Sequence, residues 1–381
     1  MAAEIVFWAC VGVIAFTYVG YPLLLWLLVL IKGKPPRPQV TEWPGISVLV
    51  AARNEEHNIA KKIANILANG YPPEKLEVIV CSDGSTDATN RVVEQYDDPR
   101  VHLAAAPTSI GVNEVFALGA ERAAGEVLLL TDANAAFEAG AIATAAAHFA
   151  DPAVGIVSGR IIFQDPLKAV VAGGYRSYWR IETRVRLLES HLGVAAVIVG
   201  AFELIRREAY LPVPSRYNND VSAPAYAFSK GFRCRYEPKA INTTVQRKTP
   251  GQDFTRRARM ALRCFTSLGY LRGKVPFFRN LRPWAALLCH KFLRYLSWPF
   301  MIGAFVANLF LLASTFFLVT FIAQAAFYGM ALAGWLLAAA RIRFQLFSLP
   351  FYFCLLQAAG LTALAQAIAG RHVGVWKPVG D

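Results

Sequence analysis

Val127-Leu128-Leu129-Leu130-Thr131-Asp132-Ala133-Asn134 is the stretch that decides the fold. Its short apolar run reads as a strand buried on both faces. Asp132 and Asn134 then fall just past the carboxyl end of that strand, where open α/β sheets bind ligands. Two oxygen-bearing side chains one residue apart can share a hard cation such as Mg2+ or Mn2+, and the cation can hold a diphosphate. The plainer alternative is that Asp132 and Asn134 only start the next helix, as acids and amides often do.

Working outward, the flanking sequence alternates strands and helices. Strands are expected at Ile46–Ala51, Leu76–Cys81, Val101–Ala104 and Val154–Ser158. Between them, helical spacing places helices near 55–69, 88–96, 114–124 and 140–149, with Asn54 as the cap of the first. This alternation predicts a mostly parallel sheet with right-handed crossovers. Polar loops follow the first two strands, Arg53-Asn54-Glu55-Glu56 and Ser82-Asp83-Gly84-Ser85. They converge with Asp132 on one sheet edge. There, carboxylates can accept from a base or ribose, and helix N-termini suit an anion. Neither GxxxxGK[ST] nor GxGxxG occurs, which argues against a P-loop enzyme or a dinucleotide oxidoreductase.

The chain ends are of another character. Hydrophobic residues make up 55% of the 381, and the net charge is +13. Membrane segments are therefore expected. Ile5–Ile31 carries no charge and precedes Lys32, Lys34 and Arg37, so it reads as a retained transmembrane helix with a kink at Pro22. Those cations place the following domain in the cytoplasm. Pro35, Pro36, Pro38 and Pro44 form a stiff linker. No acid occurs between Asp253 and Asp381, and 281–298 reads as an interfacial amphipathic helix. Spans are expected at about 297–318, 321–340 and 347–369. The acid-free basic third, with Arg272, Lys274, Arg279 and Arg282, fits an anionic membrane surface or a polyphosphate, and not nucleic acid. The resulting division is a transmembrane helix at 1–31, a linker at 32–44, a cytoplasmic α/β domain at 45–253, basic interface helices at 254–296, about three spans at 297–370 and a tail at 371–381. The six cysteines lack any CxxC or His-cluster spacing, so reduced thiols are expected.

Ile46–Asp87, with Asn54-Glu55-Glu56 and Asp83-Gly84-Ser85-Thr86-Asp87, resembles the start of glycosyltransferase family 2 enzymes. Asp132-Ala133-Asn134 is similar to that family's DxD motif. The resemblance continues through Tyr178–Glu182, Glu189-Ser190, Asn219-Asp220, Tyr236–Ala240 and Arg256–Met260. Within the family it is strongest to bacterial exopolysaccharide, poly-N-acetylglucosamine and cellulose synthase-like enzymes.

That resemblance implies a GT-A-type α/β domain flanked by transmembrane helices in the cell (inner) membrane. It implies transfer of a sugar from a UDP-sugar to a glycan or lipid-linked acceptor, with Mg2+ or Mn2+ as cofactor. Asp83, helped by Asn54 and Glu55, would contact the uridine. Asp132 and Asn134 would hold the ribose and the metal-diphosphate, and Asp220 would be the catalytic base. Arg256, Arg257 and Arg259 fall where polymer-forming members carry QxxRW. Arg256 and Arg259 are then donor-side residues, while Arg257, Met260 and Trp179 are acceptor-side ones. Arg256, Arg259 and Arg263 also share one helix face by spacing alone. A single base without a protein nucleophile implies inversion at the anomeric carbon.

Three departures stand out: Asn134 for an acid, Gly111-Val112-Asn113 where many members have Gly-Lys, and Met260 for the Trp of QxxRW. The last keeps a single transfer to a lipid, of the ceramide or polyprenyl-phosphate kind, as the alternative to polymer synthesis. A nucleotide-regulated transporter is the rival of another class, but the spans contain no ionisable residue of the sort coupled transport uses. So few helices make a homo-oligomer or an export partner the expectation for any exported product.

Overall fold

The computed structural model describes residues 1–36, 39–164, 172–245, 250–276, 281–340, 342 and 345–371. Arg37, expected to fix the topology, and Arg279, expected at the lipid surface, lie outside the described residues.

The sheet has the order β3-β2-β1-β4-β7-β6-β8-β5. Its strands are β1 (Ile46–Ala52), β2 (Leu76–Asp83), β3 (Val101–Ala106), β4 (Val127–Asp132), β5 (Ala135–Phe137), β6 (Val154–Gln164), β7 (Glu203–Arg206) and β8 (Arg233–Val245). The four strands β3-β2-β1-β4 are parallel neighbours, as the alternation predicts. Two antiparallel contacts then flank β7, so β6 and β8 again run with β4. Neither β7 nor β8 carries a sequence signal of the βαβ kind. In β8 the pairing with β6 jumps from Glu237 to Ile241, which accommodates Pro238 at an irregularity.

Alternate residues of each strand face opposite layers. Val48, Val50, Val78, Val80 and Leu129 pack with Ile59, Ile63, Ile66 and Ile142. Leu49, Ile79, Leu128 and Leu130 pack with Val115, Phe116, Ala223 and Ala227 on the other face. This is a three-layer α/β/α domain.

The first helix after β1 starts at Ile59, not near Glu55. Asn54 does not cap it. Its backbone is left-handed at φ 56°, a conformation an asparagine tolerates better than most, and its side chain turns instead to the neighbouring loop. Asn242, the first residue of a formal glycosylation sequon, is fully buried and donates to the Ala201 carbonyl at 2.6 Å. All six cysteines are unpaired.

Among the described residues, three helices are long and apolar enough to cross a membrane: Ala2–Lys32, Thr315–Ala339 and Leu346–Ile368. A π-helical turn at Phe16–Gly20 sits just before Pro22 in the first of them. The expected span over 297–318 is not one continuous helix. Ser297–Leu309 has 13 residues and ends before the turn that leads to Thr315. At about 1.5 Å per residue it reaches roughly 20 Å, short of a hydrocarbon core of about 30 Å. The basic helix Pro250–Arg272 runs unbroken through position 253, where composition had suggested a domain edge.

The long apolar helices are packed onto helices of the α/β domain. Tyr21 and Leu25 of the first one cluster with Val185 of helix Ala172–Leu192. Phe351, Tyr352 and Leu355 of the last one cluster with Tyr178, Trp179 and Phe254.

Candidate active site

The carboxyl ends of β2, β1 and β4 lie in register, with Ala51 opposite both Cys81 and Asp132. The loops they lead into are tied to each other. Asn54 Oδ1 accepts from the Thr86 N–H at 2.9 Å, Thr89 Oγ1 from the Glu55 N–H at 2.8 Å, and Glu56 Oε2 from the Ala88 N–H at 2.9 Å. Asp83 is buried. Its Oδ1 accepts from the N–H groups of Ile110 and Gly111, at 2.6 and 3.0 Å, and its Oδ2 from the Ser109 hydroxyl at 2.9 Å. Ser109 accepts in turn from Arg53 Nη1. Asp83 therefore fixes the loop after β3 at the same edge. The departure at Gly111-Val112-Asn113 is bound to a distant segment: the Asn113 N–H donates to Ser215 Oγ, and Glu114 accepts from the Ser215 N–H at 2.7 Å.

Asp132 is half-buried at the end of β4 and Asn134 is exposed. Burial raises the Asp132 carboxyl above its ordinary range, against the pull of Lys62 and Arg256, and the charge of Asp220 adds to the rise. Lys62 is only 2% exposed. Its ammonium donates to Thr131 Oγ1 at 3.0 Å and lies 3.7 Å from the Phe137 ring centroid. Burial brings it down to about 7, with Asp132 opposing the shift. Glu55 is raised by burial and by the charges of Asp132 and Asp87, after a contrary pull from Asn58.

Asp220 stands in the first turn of helix Asn219–Ser229. The cap is Asn218, whose Oδ1 accepts from the Asp220 N–H at 2.8 Å, so the Asp220 carboxylate is not spent on capping. The Asp220 carbonyl accepts from the Ile198 N–H at 3.0 Å. A methyl group at Gly200 would stand 3.0 Å from Asp220 Oδ1, so that carboxylate lies directly against a glycine backbone. Burial raises the Asp220 carboxyl; Lys291, Arg186, Arg263 and Arg256 pull it down. Beside it, fully buried Glu203 accepts from Asn219 Nδ2 at 3.0 Å through Oε2, while its Oε1 has no partner among the described residues. Burial, and then the nearby Asp220 charge, push the Glu203 carboxyl well above its ordinary range.

The arginine face expected from spacing is present. Arg256 acts on both Asp132 and Asp220. Arg263 also acts on Asp220 and donates twice to the Tyr217 carbonyl, while burial, above all, lowers Arg259. Arg257 points elsewhere: it donates to the Tyr352 hydroxyl at 3.0 Å and lies 4.9 Å over the Tyr178 ring. Trp179 carries the guanidinium groups of Arg186 at 5.7 Å and Arg257 at 6.0 Å, so cations line its ring at the seam with the last membrane helix. Met260 is half-buried on the same basic helix.

Among the described residues no group of three or more His, Cys, Asp or Glu converges on a metal. Asp132 with Asn134 is a hard-oxygen pair. It fits Mg2+ or Mn2+ when diphosphate and water oxygens complete the shell.

A model of the glycosyltransferase like family 2 matches residues 44–262, more than half of the chain. The chain belongs to this family. Among curated family 2 relatives, it is 25% identical over 251 residues to an N-acetylglucosaminyltransferase of Mesorhizobium japonicum, covering 61% of this chain and 58% of that one. It is 26% identical over 240 residues to the poly-beta-1,6-N-acetyl-D-glucosamine synthase of Staphylococcus aureus, covering 60% and 57%. The chain thus spans somewhat over half the length of these relatives. Among solved structures it is similar to the mannosyltransferase PcManGT from Pyrobaculum calidifontis, solved in complex with GDP-Man and Mn2+. The TM-score is 0.70 at 22% identity, over 96% of this chain and 99% of that one, which shows a shared GT-A-like fold including the apolar end helices.

Lys62, Glu203, Arg186 and Lys291 surround the two aspartates of this family 2 site without having been singled out from the sequence. Lys62 had a usable signal, since it falls on the apolar stripe Ile59, Ile63, Ile66 of its helix. Glu203, Arg186 and Lys291 reach the site only through long-range packing.

Proposed function

We propose that this family 2 glycosyltransferase is a membrane-embedded, inverting enzyme. It would move an N-acetylhexosaminyl or hexosyl group from a UDP-sugar to a glycan or lipid-linked acceptor at the cytoplasmic membrane face, in the synthesis of an envelope or extracellular polysaccharide. The observation that carries this reading is that the Asp220 charge reaches Asp132 and that Arg256 acts on both carboxyls. Asp132 and Asn134 would hold a Mg2+ or Mn2+, which when bound neutralises the charge of the leaving diphosphate. Arg256 and Arg259 add fixed positive charge on the same side. Asn54, Glu55 and Asp83 form the edge that would receive the nucleoside. Asp220, uncommitted to capping and half-exposed, would take the proton from the attacking acceptor hydroxyl. With one base and no adjacent nucleophile, the anomeric configuration inverts. The choice of an N-acetylhexosamine rests on the N-acetylglucosaminyltransferase relatives.

A single transfer to a lipid is the second reading. It is favoured by Met260 in place of the acceptor-side tryptophan and by Trp179 already holding Arg186 and Arg257. Membranes incubated with radiolabelled UDP-N-acetylglucosamine separate the two. Polymer synthesis gives a ladder retained in the aqueous phase, and single transfer gives one organic-soluble species.

A further inference from the structure

A second charged cleft lies at the opposite edge of the sheet from Asp83 and Asp132. It encloses about 1190 Å³ and is lined by the post-membrane linker from Lys32 to Pro36, the end of helix Ala172–Leu192, the starts of β6 and β8, and Leu281–Pro283. β6 and β8 run with β4, so their first residues mark the edge remote from the donor loops. Helix Asn219–Ser229 connects the two places: Asp220 is at one end, and Phe228, which lines the cleft, is about 12 Å further along at about 1.5 Å per residue.

The cleft is cationic beyond what its own acid can balance. Lys32, Lys34, Arg233, Arg235 and Arg282 line it against Asp151. Asp151 meets Arg233 at 3.4 Å, and His148 in the lining is already matched by Glu237 at 2.8 Å. Arg235 is only 7% exposed although it faces this space. Like charges converge there. Burial first, then Lys34 and Arg235, hold the His191 imidazole below its usual range, and burial with Arg233 does the same to Arg235. His191 Nδ1 is buried without a hydrogen-bond partner among the described residues. Converging cations and an unsatisfied ring nitrogen are both relieved by an anion with several acceptor oxygens.

The position says where that anion comes from. Lys32 ends the first membrane helix, and its ammonium reaches the Leu192 carbonyl at 3.4 Å. Arg282 opens the helix that leads to the C-terminal membrane helices. The cleft therefore sits at the boundary between the first membrane helix and the catalytic domain.

We propose that this cleft is a second anion site, separate from the sugar-nucleotide edge, that binds the phosphate of an anionic lipid headgroup between Lys34, His191, Arg233, Arg235 and Arg282. Occupancy would clamp the linker and the interface helix onto the catalytic domain.

The test uses the full chain in detergent, titrated calorimetrically with dioctanoyl-phosphatidylglycerol, dioctanoyl-phosphatidylcholine and inorganic pyrophosphate. Saturable binding of the phosphatidylglycerol but not the phosphatidylcholine is expected. It should weaken at least tenfold in Lys34→Gln/Arg233→Gln/Arg282→Gln, with UDP affinity unchanged. Pyrophosphate binding with the same loss, and no preference for the lipid, would assign the site to a soluble phosphate and overturn the headgroup. Equal binding of both lipids, wild-type affinity in the variant, or displacement by UDP overturns the site itself. Should the triple variant fail to fold, Arg282→Glu, at an exposed position, carries the same comparison.

Discussion

The Lys62 ammonium donates to the Thr131 hydroxyl at 3.0 Å, one residue before Asp132, and that hydroxyl in turn donates to the Ala201 carbonyl at 3.0 Å. A buried amine, brought down to about 7 by its desolvation, thus sits under the donor edge with one hydroxyl as its hydrogen-bond acceptor. Thr131→Val removes that acceptor and should cost about 1–3 kcal/mol in a denaturation series. Lys62→Met keeps the volume on the apolar stripe and removes the desolvation penalty, so its stability should equal or exceed wild type. A Lys62→Met protein less stable than Thr131→Val would show that the ammonium is a net stabiliser.

Asp220→Asn should lower kcat by about 10²–10⁴ while leaving UDP affinity within a few-fold. Burial raises the Asp220 carboxyl, so the active anion is lost as pH falls through a value above the ordinary aspartate figure of about 3.9. The acid limb of the kcat profile should therefore lie above that figure and vanish in the variant. An unchanged acid limb would assign it to another group.

Glu203 accepts from Asn219, and burial with Asp220 disfavours its charge, so the uncharged isostere Glu203→Gln, which keeps that acceptor, should be close to wild type in stability. Glu203→Ala removes the acceptor for Asn219 and leaves a cavity, at a cost of about 1–3 kcal/mol. Equal losses in the two variants would mean that Glu203 is ionised and paired.

A buried ionic network ties helix Ala172–Leu192 to the first long apolar helix and to the segment around His290. His290 Nδ1 lies 2.9 Å from Glu189 Oε1 and its Nε2 3.2 Å from Glu182 Oε1, while Tyr21 of the first membrane helix donates to Glu189 at 2.6 Å. Arg186 and Arg294 complete the shell of Glu182 at 2.9 and 2.7 Å. Burial disfavours the imidazolium, but Glu189 and Glu182 outweigh it and raise His290 above its usual range. The stabilisation is fully present below the unfolded value of about 6.5 and is lost as pH rises through the higher folded value. Thermal midpoints of wild type should fall across that window, and those of His290→Gln should start lower and stay flat.

Asn134 offers a neutral oxygen where an acid would bind a cation more strongly. Asn134→Asp should lower the Mn2+ concentration for half-maximal UDP release several-fold, and chelation should abolish release in both proteins. Chelator-resistant release would remove the metal from the account.

Much of this was legible in the chain because local signals and tertiary structure agree. The apolar run before Asp132 became β4, and the loops after Ala52 and Asp83 meet it as the βαβ alternation requires. The misreadings came where context overrode pattern. Asn54 looked like a cap because such residues often are, yet cross-loop bonds to Thr86 and Ser85 hold it left-handed instead. The first span expected after Ser297, at about 297–318, is broken by the turn after Leu309, which hydropathy does not register. Glu203 had no legible role because its environment is built by Asp220 and Asn219 from a separate segment.

Asp132 and Asp220 are proposed to divide donor binding and base catalysis between them in one sugar-transfer site. Purified full-length protein, assayed for Mn2+-dependent UDP release from UDP-N-acetylglucosamine with an acceptor present, tests that division most directly. Release by wild type is expected, with at least a hundredfold loss in both Asp132→Ala and Asp220→Asn, and weakened UDP binding only in Asp132→Ala. Release at wild-type rates in either variant would contradict it.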